Sequence, residues 1–93
     1  MDFEWNPNKA MRNLSKHGVS FEEAATVFDD DLAATIPDPD HSEDEERYLT
    51  VGYSRRGRLL IVAHTDKGDR TRIISAREVT AHEREAYERG DWR

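Results

Sequence analysis

The sequence contains no cysteine in its 93 residues. That excludes a disulfide framework, a thiolate zinc site and a thiol nucleophile, and it is compatible with a reducing compartment. No apolar run approaches the ~20 residues a membrane helix needs, and residues 1–20 lack the apolar centre of a signal peptide. The expectation is a soluble, cytoplasmic protein without a membrane partner. There is no internal repeat, no low-complexity linker and no Gly-rich phosphate loop. A chain this short reads as one domain, 1–93, because cores divide only well beyond about 100–150 residues. It buries about 60–65% of its unfolded surface, so its stability margin is modest.

Charge, by contrast, is plentiful: 37% of residues are charged and the net charge is −6. That sum argues against a nucleic-acid partner until it is divided by position. Residues 1–46 hold 13 acids and 3 bases, and residues 47–93 hold 7 acids and 11 bases, so the halves carry −10 and +4. Eleven of the fourteen bases are arginine, the side chain suited to bidentate contact with phosphate or carboxylate. The molecule is polarised rather than uniformly acidic.

Element boundaries are well marked. Phe3–Trp5 alternates as a short strand. Asn6 as N-cap and Pro7 at the first helical position open a helix over residues 7–17, closed by Gly18. Its apolar stripe is Ala10, Met11 and Leu14, and Lys9, Arg12, Asn13, Lys16 and His17 form the opposite, cationic face. Ser20 and Glu23 make a capping box ahead of Phe21, Ala24, Ala25 and Phe28, which recur at helical spacing. Asp29–Asp31 ends that helix.

Leu32–Ile36 reads as a strand, and residues 38–46 as an exposed acidic loop that buries nothing. The period then changes to two. Strands follow over 47–54, 58–65 and 70–76, with turns between them, as an antiparallel meander. Thr80 and Glu83 cap a last helix over 81–89 that is poor in apolar residues and expected to pack weakly. Trp92 sits in a tail with no obvious pocket. The order β-α-α-β-β-β-β-α belongs to the α+β class.

No metal-ligand spacing stands out. Asp38, Asp40, His41 and Asp44 resemble the start of a calcium loop, but Glu43 and Leu49 occupy the positions that need Gly and Glu. Nor do the abundant carboxylates define a glycosidase-like pair. The arginine-rich half is more informative. Arg70, Arg72 and Arg77 lie on or just after one strand, with His64 on the strand before it. Arg70 and Arg72 share a face, while the face of His64 depends on register. Phosphodiester chemistry needs cations where charge develops and a group that moves a proton. Arg72 and Arg77 fit the first need and His64 the second. The structural alternative is that the arginines pair with acids of the N-terminal half and His64 is hydrogen-bonded within the sheet. Lys9, Lys16 and His17 form either a phosphate-contacting wall or simply cations favoured by a helix C-terminus. Tyr87 and Trp92 are candidate contacts for a base or for another protein.

Glu4-Trp5, Lys9, Asn13, Lys16-His17-Gly18-Val19-Ser20-Phe21, Glu23-Ala24-Ala25 and Val27-Phe28-Asp29-Asp30 together resemble the opening of BrnT-type toxins. Arg72-Ile73-Ile74-Ser75-Ala76-Arg77, followed by Glu83-Arg84-Glu85 and Tyr87-Glu88, resembles the closing motif of the same family. The resemblance implies a RelE-like α+β fold, with two N-terminal helices packed on an antiparallel sheet and a short C-terminal helix. It further implies the toxin of a type II toxin–antitoxin module, a metal-independent, cofactor-free endoribonuclease that arrests translation. The implied partners are RNA and a BrnA-type ribbon-helix-helix antitoxin, through which alone the toxin meets operator DNA. On this reading Arg72, Arg77, His64 and Glu83 are catalytic, and Lys9, Lys16, His17, Arg70 and Tyr87 bind RNA. The rival expectation is a non-enzymatic module that grips a basic partner with its acidic surface.

Overall fold

The computed structural model describes residues 1–40 and 46–92. In chain order the elements are β1 (Asp2–Glu4), α1 (Pro7–His17), α2 (Phe21–Thr26) with a 3₁₀ turn (Val27–Asp29), β2 (Ala34–Pro37), β3 (Arg47–Tyr53), β4 (Leu59–Lys67), β5 (Arg70–Glu78) and α3 (Ala81–Glu88). The strands form one sheet in the order β1-β5-β4-β3-β2. β2 through β5 pair antiparallel, but β1 pairs parallel to β5, so the sheet is mixed rather than antiparallel as expected. A three-residue strand cannot advertise its partner. The long crossover through α1, α2 and the meander brings it alongside β5.

Capping places the helix starts. Asn6 Oδ1 accepts from the Asn8 and Lys9 N–H groups, and Gly18 takes the left-handed conformation that ends α1. Ser20 Oγ accepts from Glu23 N–H at 3.0 Å. The Glu23 carboxylate does not return to its own helix terminus as the capping-box expectation has it. It is instead buried, accepting from Arg58 Nε at 3.0 Å, from Arg58 Nη2 and from the Ser54 hydroxyl at 2.7 Å. Those bonds, Arg58 first, hold its carboxyl below the usual range against the opposing effect of burial. Thr80 and Glu83 do form the complete capping box of α3.

The two sheet faces differ. One carries Val19, Phe21, Ala24 and Val27 packed on Leu60, Val62, Ile73 and Ala76, with Phe3, Trp5 and Phe28 around them. The other carries Val51, Leu59 and Ile61 beneath Val79, Tyr87 and Trp92. Trp92 therefore has a packing site, against the expectation of a free tail, and it closes the end of α3 over the sheet. α1 is also turned from its expected orientation. Met11 and Leu14 are 71% and 52% exposed, whereas Asn13, expected outside, is 6% exposed.

Asn13 explains that rotation. Beyond β1 the edge of β5 lacks a strand partner. Asn13 supplies one, with Nδ2 donating to Ala76 O at 2.8 Å and to Val19 O at 2.9 Å while Oδ1 accepts from Ala76 N–H at 3.0 Å. Satisfying buried backbone groups outweighs burying two more apolar side chains. Leu32, expected in β2, precedes it and is 80% exposed. Most of the expected acidic loop, residues 41–45 with His41 and Asp44 of the calcium-like pattern, lies outside the described residues. Its described start departs from expectation, because Asp38 is buried.

Candidate active site

Register decides which candidate residues can meet. Along the β4–β5 ladder Lys67 faces Arg70 and Thr65 faces Arg72. His64 then faces Ile73, while Ala63 faces Ser75 and Ile61 faces Arg77. Ile74 is thus an extra residue in β5, a β-bulge. Strict alternation would put Arg77 on the face opposite Arg70 and Arg72. The bulge restores it, so Arg70, Arg72, Ser75 and Arg77 share one face with Ile61, Ala63 and Thr65 of β4. This is the face away from α1 and α2, and α3 covers only the part of it around Val51, Leu59 and Ile61.

His64 lies on the other face. It is 2% exposed, packs edge-on against Phe28 and stacks on Tyr48. Both ring nitrogens are engaged, Nδ1 with Asp66 Oδ1 at 2.9 Å and Nε2 with Thr50 Oγ1 at 2.7 Å. Burial pushes the imidazole below its ordinary pKa, and Asp66 offsets part of that. The expected grouping of His64 with Arg72 and Arg77 is therefore corrected: the sheet stands between them.

Arg77 is the best-positioned cation. Its Nη1 donates to Glu83 Oε1 at 2.8 Å and to Glu78 O at 3.2 Å, and its Nη2 donates to Glu83 Oε2 at 2.9 Å. Glu83 is fixed in turn by accepting from Thr80 N–H at 2.8 Å, so the α3 cap and the arginine clamp are one structure. The Arg77 bonds, ahead of opposing burial and the help of Thr80, hold the Glu83 carboxyl at about 2. A carboxylate so acidic, with its oxygens occupied, orients Arg77 and is a poor proton shuttle. The bidentate pair leaves Nε–H and one Nη2–H of Arg77, which lie side by side and match two oxygens of a phosphate.

Arg77 borders a cleft of about 280 Å³ lined also by His17, Ser75 and Ala76, by Leu49, Ile61 and Ala63, and by Asp38 and Asp40. His17 reaches it because Asn13, one turn earlier on α1, is hydrogen-bonded to the Ala76 backbone. Small side chains at the facing pair Ala63 and Ser75 leave the depression in the sheet. Sequence reasoning gave Asn13 no role here. Its spacing of four from His17 was the available signal, but it pointed equally to the cationic face.

The other candidates are dispersed. Arg70 and Arg72 both approach Glu4, at 3.5 and 3.7 Å, so for them the expected pairing with N-terminal acids holds. From Arg72 to Arg77 the strand runs about 13 Å at ~3.3 Å per residue with the bulge discounted. The two are neighbours along one face rather than a single clamp. Lys9 and Lys16 are exposed on α1. Tyr87 is occupied in packing, its hydroxyl donating to Leu32 O at 2.9 Å and its ring edge-on to Tyr53.

Taken together, the fold and the cleft define a small α+β protein with an arginine-bearing, anion-receptive sheet face. Residues 5–83 match the family model described as ribonuclease toxin, BrnT, of type II toxin-antitoxin system, and the chain belongs to that family. Its fold is similar to the 1.1 Å crystal structure of the Brucella abortus ribonuclease toxin, BrnT. The TM-score is 0.67 at 20% identity, over 86% of this chain and 97% of that one. No curated protein matches the sequence. Membership in a family of ribonuclease toxins decides against the non-enzymatic module. Among the described residues no helix is long and apolar enough to cross a membrane.

Proposed function

We propose that this chain is the toxin of a type II module, acting in the cytoplasm as a RelE-like, metal-independent endoribonuclease that arrests translation. A BrnA-type ribbon-helix-helix antitoxin neutralises it and makes the contact with operator DNA. The observation that carries the reading is the convergence of Arg77, clamped by Glu83, and His17, placed by Asn13, on one cleft of the open sheet face.

The reaction is attack of a ribose 2′-hydroxyl on the adjacent phosphorus. The O2′–P bond forms, the P–O5′ bond breaks, the 2′ proton leaves to a base and a proton reaches O5′. Arg77 donates to the phosphoryl oxygens as their charge grows. His17, rather than His64 or Glu83, is the proton-transfer group, because it shares the cleft with Arg77. Arg70 and Arg72 hold a neighbouring phosphate along the same face. Lys9 and Lys16 add sequence-independent attraction for the RNA backbone, and Tyr87 is assigned to packing rather than to RNA. The acidic N-terminal half is suited to a basic antitoxin, chiefly by raising the association rate.

Two measurements test the reading. Purified protein is expected to cleave RNA in excess chelator, and loss of cleavage there removes the metal-independent mechanism. Induction in a bacterial host is expected to arrest growth, with rescue by a co-expressed antitoxin; unimpaired growth by folded protein contradicts the toxin assignment.

A further inference from the structure

A second hollow opens at the far end of α3 from the Arg77–Glu83 clamp. It is a groove of about 340 Å³ between the end of that helix and the start of β2, lined by Leu32, Ala34, Tyr87, Glu88, Gly90 and Trp92. Leu32 is 80% exposed, and its backbone is held from two sides. Tyr87 Oη donates to Leu32 O at 2.9 Å, and Leu32 N–H donates to Asp30 Oδ1 at 3.0 Å. An aliphatic side chain fixed outward beside two aromatic rings makes a contiguous apolar patch, the mark of an interaction surface.

Trp92 adds a polar demand to that patch. Its ring packs on the apolar residues beneath α3, yet its Nε1–H is buried and meets no acceptor among the described residues. Indole is a donor only, and a buried donor left unpaired is destabilising until a partner brings an acceptor. Trp92 is a wall of the groove, so the carbonyl of a peptide seated there is the acceptor it lacks. Charge then selects the kind of peptide. Glu88 lines the groove and Asp31 adjoins Leu32; both are exposed, and neither forms an ion pair among the described residues. The nearby Arg89 is paired with Asp91 at 3.1 Å. The rim thus carries uncompensated negative charge, which repels a nucleic-acid backbone and attracts Lys or Arg.

We propose that this groove docks a basic peptide segment of the antitoxin. One bulky apolar side chain sits among Leu32, Tyr87 and Trp92, a backbone carbonyl accepts from Trp92 Nε1–H, and flanking Lys or Arg side chains face Asp31 and Glu88. The assignment rests on the toxin reading for the identity of the partner. The groove shares no lining residue with the Arg77 cleft, so its loss releases the partner without touching cleavage.

The experiment titrates the full chain with purified cognate antitoxin and follows the indole N–H signals of its two tryptophans by NMR, with Trp92→Phe to assign them. The Trp92 signal is expected to move on binding, and that of Trp5, edge-on to Phe21 in the core, to stay. Leu32→Ala is expected to weaken antitoxin affinity by about 10-fold, the loss of one interface anchor. The double variant Asp31→Lys, Glu88→Lys is expected to weaken it by at least about 10-fold at low salt and less at high salt. RNA cleavage by each variant without antitoxin should stay within about 2-fold of wild type. An unmoved Trp92 signal, or affinities within about 2-fold of wild type in both variants, overturns the proposal. Self-association of the toxin alone that Leu32→Ala abolishes would give the groove to a second copy and overturns it equally. If folded wild type binds no antitoxin at all, the toxin reading falls and the proposal with it.

Discussion

The two faces of this sheet each carry a histidine and an arginine–glutamate pair, and they use them differently. On the helix-covered side His64 is enclosed with both nitrogens bonded, and the carboxylate of Glu23 in α2 is buried under Arg58 and Ser54. On the open side His17 and the Arg77–Glu83 pair border a cleft, and the bidentate clamp leaves part of the guanidinium for another ligand. The residue types are the same and the geometry is not. A polar group whose partners are all internal specifies the fold, and one with donors left over at a cleft is available for chemistry.

Substitutions can break this contrast. The largest effect on activity away from Arg77 is expected at His17. His17→Ala should lower the cleavage rate by about 100-fold, the lower end for losing a proton-transfer group, with thermal melting nearly unchanged. Equal loss of stability would move His17 to the structural class. On the other face, Glu23→Ala should leave Arg58 and Ser54 without their acceptor and destabilise by about 3 kcal/mol in urea unfolding, while the folded fraction keeps its specific activity.

A smaller, pH-resolved effect concerns Glu83. Its carboxyl sits at about 2 when folded, against an ordinary 4.5. The stabilisation is therefore complete above pH 4.5 and is lost as pH falls from 4.5 toward 2. Glu83→Gln should flatten that acid limb, cost about 1–2 kcal/mol at neutral pH after solvent screening, and loosen Arg77 so that cleavage also falls. His64 acts in a different window. Its pKa is depressed, so the unfolded chain takes up a proton first and stability declines as pH drops below about 6.5. In His64→Gln the part of the stability loss that His64 contributes below about pH 6.5 should disappear. The smallest effect is expected from Lys9→Ala and Lys16→Ala, a few-fold each in RNA affinity, with the salt-dependence slope reduced by about one per lysine.

Much of the scaffold is legible in the chain because it is encoded locally. Asn6, Ser20 and Thr80 cap helices where expected, and the period of two from Leu49 onward marks the meander. What is hidden is set by long-range pairing. The parallel partner of β1 leaves no signal in three residues, and the bulge at Ile74 that turns Arg77 toward Arg72 is invisible in an alternating run. Counting apolar residues on α1 misjudged its inner face because an amide satisfying the β5 edge outweighed Met11 and Leu14. The chemistry-bearing residue types were legible, and their grouping was not. His64 stood near Arg72 in the chain and across the sheet from it in space.

The central claim is that catalysis belongs to the open face at Arg77 and not to the enclosed histidine. The direct measurement is RNA cleavage in chelator by Arg77→Ala and His64→Gln side by side, each normalised to its folded fraction. Arg77→Ala is expected to lose about 100- to 1,000-fold, and His64→Gln to stay within about 3-fold of wild type, since His64 points to the opposite face of the sheet and does not line the cleft. The opposite pattern, with folded Arg77→Ala fully active and folded His64→Gln inactive, would place the reaction on the other face and contradict the account.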